Sequence, residues 1–486
     1  MVFSSVSFMG IFLPLTLIVY YLSKNRTWRN AVLLIASLLF YSWGEAIYIV
    51  AMVGVTLIDY VFGLLIGKSE KPAARRGLLV VCVILNLIPL LTFKYYNFFA
   101  SQLAQLLNVP FHRLAAAMPL GISFFTFQSL SYAIDVYRGN ATTQKNYAYV
   151  LLYVSMFPQL IAGPIVRYSD VELELTARKE TLENFAQGGL RFAVGFAKKI
   201  ILANYTGQLV DFIISRQATT ITVSGAWIGI VMSGLQIYFD FSGYSDMAIG
   251  LGLMFGFHFK ENFNYPYIAR SVTDFWRRWH ISMSSWFRDY MMYPLVRSKL
   301  FIRFSRFIRN RAGSSLGNLI PSSVAMLFTF AMVGLWHGAG WNFMLWGLFN
   351  GVLLVIEKFL KKTRFNLERI PVISVLVTFI VLRIGRVFAE CTTLGQIGHY
   401  FSVLFGGSGA NFALNVQELS AVNDIFWLIP LLFIAMTPYP AMLCRRFLGK
   451  GKAYQGLRAA WTAVLICVSY TLMLGQSYNA FLYFRF

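Results

Sequence analysis

The sequence predicts an all-α membrane protein that crosses the bilayer several times. Its 486 residues are 57% hydrophobic, and its mean hydropathy of +0.61 exceeds that of soluble proteins. Apolar runs close to the length of a spanning helix recur along the chain. Because the bilayer offers no water to backbone groups, such runs fold as helices. We therefore expect one polytopic domain over 1–486, with a core at 118–358 and C-terminal spans and an aromatic tail at 371–486.

The basic residues predict the orientation of the chain. The formal net charge is +22, and the first Lys and Arg residues gather at 24–29 and 68–76, whereas the link at Glu45 is acidic. Since basic loops face the cytoplasm, the N-terminus is expected outside. In a soluble protein the same charge would suggest nucleic acid, but no nucleic-acid-binding module accompanies it, and we predict no such partner.

The first half of the chain is predicted to contain both straight and bent helices. Four spans are expected at 7–22, 30–44, 46–67 and 77–100, and Lys94 lies near the outer end of the fourth, where its amine can snorkel. The segments 118–136 and 147–166 contain Pro and Gly, which is typical of bent or re-entrant helices. The polar stretch 168–183 predicts an interfacial loop, and 185–205 predicts a helix.

The second half of the chain alternates apolar segments with basic loops. After 226–239, spans are predicted at 322–337 and 341–357, which form a helical hairpin, and at 371–389, 425–442 and 459–474. The loop 390–424 has no Lys or Arg, as expected outside the cell. The stretch 297–311 has six basic residues and no acidic one, which predicts a cytoplasmic loop against anionic lipid or a phosphate-attracting entrance for coenzyme A. Both termini are therefore expected outside.

The stretch 238–294 carries most of the candidate chemistry. Asp240 and Asp246 lie in an apolar segment, where they are costly unless the protein pairs them. A helix crowded with Trp and Arg follows, and at 100° per residue one face collects Trp276, Trp279, Met283, Trp286, Phe287 and Tyr290. Arg277 and Arg288 fall on another side, and His280 lies at the border. An imidazole in such a place can act as a general base near neutral pH.

A second histidine, His337, ends an apolar run in the motif GLWHGAGW. The glycines at 334, 338 and 340 would let a substrate approach the backbone closely. The alternative is a structural histidine bonded to a carbonyl group. The four Cys residues are far apart and form no CxxC pair, and P-loop and GxGxxG motifs are absent from the sequence. We predict no metal site.

Four motifs resemble those of the membrane-bound O-acyltransferases, most closely the bacterial branch that acetylates exported polysaccharides such as alginate. They are FDFSGYSDMAIGLG, ENFNYPY, DFWRRWHISMSSWFRDY and LWHGAGW, and the resemblance is densest from 236 to 351. It implies a helical bundle with re-entrant segments around a central funnel or tunnel, whose cytoplasmic lip we place at 271–311. Relatives often carry Phe-Arg-Ala where this chain has Val387, Phe388 and Ala389, so no role is carried over to Arg383 or Arg386.

The resemblance implies roles for the two histidines. His337 would be the base that takes the proton of an acceptor hydroxyl, and His280 would orient the thioester or hold a hydrogen-bond network. Substrate or donor binding is predicted for Asn262, Trp276, Arg277, Arg278, Trp279, Arg288 and Trp336. The three arginines can instead pair with Asp274 or Asp289, and Asn262 can instead be structural and pair polar groups in the bundle. The donor is expected to be acetyl-CoA or another acyl thioester, used as a substrate, with no bound cofactor.

The resemblance also implies partners and a location. No Ser-His-Asp set is recognisable, which suggests that the protein does not complete the polysaccharide chemistry alone. The resemblance implies that an extracytoplasmic Ser-nucleophile acetyltransferase and polysaccharide export machinery act with it, and that it lies in the inner membrane. Two alternatives stay open. One is D-alanyl transfer to teichoic acid. The other is a transporter or flippase, which bent helices and intramembrane polar groups also fit.

The last six residues, FLYFRF, suggest an acyl relay at Tyr483. They resemble the aromatic tail of the small partner peptide of the D-alanylation system. A phenol has a pKa of about 10 and needs a base before it can attack, and His337 would supply one. The alternative is an aromatic anchor at the membrane interface.

Overall fold

The computed structural model describes residues 1–215, 220–361, 370–448, 452–476 and 478, and the regular structure of these residues is helical. The α-helices up to residue 254 are α1 (Leu13–Tyr21), α2 (Arg26–Glu45), α3 (Ile49–Lys68), α4 (Pro72–Leu90), α5 (Tyr96–Leu107), α6 (Ile122–Arg138), α7 (Tyr147–Ser155), α8 (Tyr168–Ala177), α9 (Leu182–Ala197), α10 (Asn204–Ser215) and α11 (Val223–Met254). Those that follow are α12 (Val272–Arg278), α13 (Ile281–Trp286), α14 (Tyr293–Val296), α15 (Lys299–His337), α16 (Trp341–Leu360), α17 (Pro371–Glu390), α18 (Leu394–Leu404), α19 (Val416–Asp424), α20 (Ile429–Ala435), α21 (Tyr439–Leu448) and α22 (Lys452–Gly475). Short π-helical segments lie at Phe8–Phe12, Leu91–Tyr95, Lys198–Ala203 and Phe287–Met292, and 3₁₀ turns lie at Pro266–Ile268 and Phe426–Leu428.

Several of these helices are long and apolar enough to cross a membrane. In the described part of the chain there are six, at Ile49–Lys68, Pro72–Leu107, Lys299–His337, Trp341–Leu360, Pro371–Glu390 and Gln455–Gly475. A seventh is added if the pair Val416–Asp424 and Phe426–Ala435, which is bent by 52°, counts as one span. The predicted class of all-α polytopic membrane protein is confirmed. The segments 7–22 and 30–44 are helical, but the first is shorter than these six helices, and the second lies in the 20-residue α2, which is less apolar than they are.

One compact unit consists of Met1–Ala197, Gly243–Lys260 and Arg458–Gln476. A buried polar network joins α3, α4 and α6 inside it. Asp59 on α3 accepts hydrogen bonds from Cys82 Sγ and Asn86 Nδ2 on α4, each at 3.0 Å, and from Ser129 Oγ on α6. Since an unbonded polar group inside a membrane is costly, this network fixes the three helices against one another.

The second unit includes Lys198–Ser242 and Glu261–Leu457, and α15 and α16 form the predicted hairpin in it. Their backbones approach closely, because a Cβ atom on Gly334 would lie 2.3 Å from the carbonyl oxygen of Phe343. The hairpin is continued by α17, and the side chain of Asn342 donates to the carbonyl of Cys391 at 3.0 Å. The contact at Gly334 between α15 and α16 is of a common kind, because small residues let two membrane helices approach closely.

Three segments that the sequence indicated as loops are helical. The polar stretch 168–183 contains α8, on which Tyr168, Val171 and Leu175 are buried at helical spacing. The segment 390–424 contains α18 and α19, each of which begins with a capping box. The basic stretch at 297–311 belongs to α15, which starts at the cap Ser298 and is kinked at Gly313, where φ is +80°. For α15, α18 and α19 the capping residues Ser298, Thr393 and Asn415 were a signal in the sequence, whereas α8 has no side-chain cap.

The predicted position of Lys94 is also wrong. This lysine lies in the π-helical segment Leu91–Tyr95, inside the continuous helical run Pro72–Leu107, rather than near its end. Its Nζ donates to Ser123 Oγ at 3.0 Å. The amine is thus bonded within the protein.

The segment 118–136, which the sequence indicated as a bent helix because it contains Pro119, has no break at that residue. The helix α6 starts after the proline, at Ile122.

Candidate active site

The polar residues of α11 are held by ion pairs. Asp240 lies 2.7 Å from Lys199, and each of the two residues is 1% exposed. Asp246, further along the same helix and within the first unit, accepts from Arg191 at 2.9 Å. These pairs offset part of the cost of burying the carboxylates. The Asp240–Lys199 pair lies beside the cavity described below, since Phe241, which lines it, follows Asp240 directly.

The prediction of a single amphipathic helix around residue 280 is wrong. The helix α12 ends at Arg278, and His280 adopts the left-handed conformation with φ +43° and ψ +54° before α13 begins. The extended segment at 261–264 takes up the backbone groups of this break: Asn264 N–H donates to the carbonyl of Arg278 and Ile281 N–H donates to that of Asn262, each at 2.9 Å. The break is therefore made by a distant segment rather than by local breakers.

His280 is completely buried and is held by Asn262. The Nδ1–H of His280 donates to Asn262 Oδ1 at 3.1 Å, and the same oxygen accepts from the Ser282 hydroxyl at 2.8 Å and from the Ser282 amide at 3.2 Å. The ring packs edge-on against Phe241, with centroids 4.7 Å apart. His280 lies outside the six span helices, and burial, with a smaller contribution from His337, lowers its pKa well below the ordinary value. Its ring is therefore neutral, and Asn262 fixes its orientation.

His337 is the last residue of α15 and lies close to His280. The centroids of the two imidazoles are 6.3 Å apart, and the His337 ring contacts Trp336 at 4.9 Å and Trp346 at 5.0 Å. The glycines around it have a different role from the predicted one. A Cβ atom on Gly338 would lie 2.2 Å from the ring of Phe343, so the free space beside this glycine is filled by the hairpin itself rather than left open for substrate.

A small cavity of about 40 Å³ opens beside His337. Aromatic and aliphatic side chains form most of its wall, and two polar ones complete it: Ile237, Phe241, Trp279, Phe343, Trp346, Ala389, His337 and Arg386. Of the predicted site residues, the cavity thus brings together His337 and Trp279. Neither Phe241 nor Arg386 was predicted. The sequence did contain a signal for Arg386. An ionisable residue inside an apolar span is costly, and such a residue usually indicates a functional site.

The other predicted binding residues do not line this cavity. Trp276 packs against Phe330 and Trp346, with ring centroids 5.0 Å and 5.9 Å away. Trp336 is buried between the two histidines and Phe287. Arg278 pairs with Asp274 at 2.9 Å and Arg288 pairs with Asp289 at 2.8 Å, which agrees with the alternative that these arginines pair with nearby carboxylates. Arg277 is exposed. Their contact with a donor stays a prediction.

Comparison with known proteins agrees with the resemblance seen in the motifs. The model of MBOAT, the membrane-bound O-acyltransferase family, matches residues 80–308 and 310–381, which is more than half of the chain. The chain belongs to this family. Both histidines and the cavity beside His337 fall within or next to the matched region. The protein is therefore an acyltransferase, as predicted.

Curated relatives within the family carry three different names. A probable alginate O-acetylase AlgI from Pseudomonas aeruginosa is 39% identical over 87% of this chain and 78% of the relative. A peptidoglycan O-acetyltransferase from Helicobacter pylori is 29% identical over 100% of this chain and 98% of the relative. A teichoic acid D-alanyltransferase from Bacillus subtilis is 27% identical over 61% of this chain and 73% of the relative.

Proposed function

We propose that this protein takes acetyl groups from a cytoplasmic thioester, acetyl-CoA, and moves them across the membrane for O-acetylation of an exported or cell-surface polysaccharide. The observation that carries the proposal is the small cavity beside His337. Its volume of about 40 Å³ compares with the ~10–15 Å³ that a single water needs, so it holds about three non-hydrogen atoms. That is enough for the two carbons and the carbonyl oxygen of an acetyl group.

The relatives favour acetyl over D-alanyl. The two O-acetyltransferase relatives match 87% and 100% of this chain, whereas the D-alanyltransferase matches 61%. The cavity wall does not distinguish the two groups by charge, because Arg386, its charged side chain, forms an ion pair with Glu390.

The residues around the cavity support a base-assisted acyl transfer. His337 takes the proton from the acceptor hydroxyl while the hydroxyl oxygen bonds to the acyl carbon. The carbon–sulfur bond then breaks, and the departing thiolate takes the proton back from His337. His280, neutral and fixed by Asn262, keeps the ring pair in place. As partners we propose a Ser-nucleophile acetyltransferase and the polysaccharide export machinery, which would receive the acetyl group outside the membrane.

We further propose that the protein lies in the inner membrane with both termini outside and the segment 271–311 at a cytoplasmic donor entrance. A second cavity of about 390 Å³, lined by Arg306, Arg309, Ser305 and Asn318 among others, supports this assignment, because it offers positive charge and hydrogen-bond donors to phosphate groups. The two arginines belong to the basic, kinked part of α15.

One experiment tests both the function and the orientation. Sealed vesicles from producing cells are prepared inside-out and right-side-out, and each receives [¹⁴C]acetyl-CoA or a D-[¹⁴C]alanyl carrier protein from outside. We expect label in polysaccharide for inside-out vesicles with acetyl-CoA, and background in the other three combinations and in vesicles without the protein. Incorporation from the D-alanyl carrier would contradict the proposal. Polysaccharide movement without thioester consumption would favour a transporter instead.

The relay at Tyr483 stays a prediction, because this residue lies outside the described part of the chain. If its phenol accepts the acetyl group, Tyr483→Phe should lower polysaccharide acetylation to the background level, since the substitution keeps the ring and removes the nucleophile. Acetate released by alkali from the isolated polysaccharide measures this. A matched Phe481→Tyr control should acetylate normally. Wild-type acetate content in the Tyr483→Phe strain would leave the tail as an anchor only.

A further inference from the structure

The helix α17 carries a charged side chain that neither the motifs nor the histidine pair explain. Arg386 lines the cavity beside His337, and its side chain is 12% exposed. A guanidinium inside a spanning helix is costly, and such residues usually serve a function. The rest of the cavity wall is aromatic, aliphatic or imidazole, so Arg386 is its strongest hydrogen-bond donor.

The guanidinium is held by two protein groups on one edge. Its Nε donates to Ser233 Oγ at 3.1 Å, and its Nη2 donates to Glu390 Oε1. Ser233, which is fully buried on α11, donates its hydroxyl to the same Glu390 oxygen. These contacts use Nε and Nη2, so in the described part of the chain Nη1 is the nitrogen of the fork that no protein group engages. The side chain is thus both anchored and able to donate to a ligand.

Arg383, on the same helix, provides a comparison for Arg386, because its contacts are with packing neighbours rather than with the cavity. It lies about one turn earlier, is 3% exposed, and its Nη1 donates to the hydroxyl of Tyr267 at 2.9 Å. Its guanidinium also stacks on that ring, 4.3 Å from the centroid. Arg383 does not line the cavity. The two arginines therefore form a matched pair in which Arg386 lines the cavity and Arg383 packs against Tyr267 instead.

We propose that Arg386 is a catalytic residue that donates a hydrogen bond from Nη1 to the carbonyl oxygen of the acyl group held beside His337. This inference rests on the proposed function and names the group that stabilises the developing charge. When the acceptor oxygen bonds to the acyl carbon, the electron pair of the C=O bond moves onto the carbonyl oxygen, and it returns as the carbon–sulfur bond breaks. A fixed donor aimed at this oxygen lowers the barrier because it needs no reorganisation.

The test measures the carbonyl contact directly, without turnover. Full-length protein in detergent is titrated with acetyl-dethia-CoA, a ketone in which CH₂ replaces the thioester sulfur, and with ethyl-CoA, which lacks the carbonyl oxygen. We expect wild type to prefer the ketone, and Arg386→Met to lose about 10- to 100-fold of that preference, as for a hydrogen bond to a charged group. Arg383→Lys, the matched control, should keep the wild-type preference. A change below twofold in a folded Arg386→Met protein would overturn the contact.

A second measurement separates this contact from the proposed function. Acetyl transfer by inside-out vesicles should show a kcat about 10²- to 10³-fold lower for Arg386→Met, with the KM for acetyl-CoA changed far less. If the wild type binds the ketone through Arg386 but transfers no acetyl group, the proposed function is wrong and the contact stands. If the wild type transfers acetyl and Arg386→Met matches its kcat, the function stands and the catalytic role of Arg386 is wrong.

Discussion

Replacing His337 with alanine is expected to abolish acetyl transfer while leaving the protein folded and inserted. The imidazole lies at the end of α15 beside a cavity of acetyl size, and it is the basic side chain of that wall that can accept a proton at neutral pH. A positioned general base contributes about 10²- to 10⁴-fold to a rate, so we expect at least this loss. The rate of ¹⁴C incorporation by inside-out vesicles measures it.

Two further variants make the His337 result specific. His399 is exposed on α18, away from the cavity wall, and His399→Ala should transfer acetyl at the wild-type rate. Asn262→Leu should retain some activity with a lower kcat, because it removes the bond that orients His280 rather than the base itself. Thermal unfolding in detergent checks that each variant is folded. Wild-type turnover by a folded His337→Ala protein would contradict the assignment of His337 as the general base.

Replacing Lys199 with methionine is expected to give the largest loss of stability among single substitutions near the site. Lys199 and Asp240 are each 1% exposed and 2.7 Å apart, so the substitution removes the main charge partner of a buried carboxylate. Breaking a buried pair from one side costs about 3–5 kcal/mol, because the remaining charge stays desolvated. Equilibrium unfolding by SDS titration in mixed micelles measures the change in free energy.

The explanation for Lys199 is tested by two matched proteins. Lys198→Met removes the same charge from the half-buried neighbouring position and should cost far less. The double variant Lys199→Met/Asp240→Leu removes both charges and should regain much of the stability, because the buried carboxylate is removed together with its ion-pair partner. A single variant that loses less than about 1 kcal/mol would show instead that the pair behaves like an exposed one.

The sequence alone determined the parts of this protein that depend on local pattern. Apolar length fixed α3, α16, α17 and α22, because a helix that spans a bilayer needs only enough consecutive apolar residues. The motif GLWHGAGW placed His337 at the turn of a helical hairpin, and the four motifs identified the family. Each of these features is written in neighbouring residues.

The tertiary structure decided the features that depend on residues far apart in the chain. The break at His280 exists because the segment 261–264 supplies backbone partners there, which no helical periodicity around residue 280 can reveal. Arg386 faces the His337 cavity and Arg383 does not, although both are arginines in one apolar helix, because Ser233 lies beside the first and Tyr267 beside the second. Hydropathy and spacing are properties of one segment. The geometry of an active site is set by hydrogen bonds and packing between segments, and those become visible only when the segments are placed together.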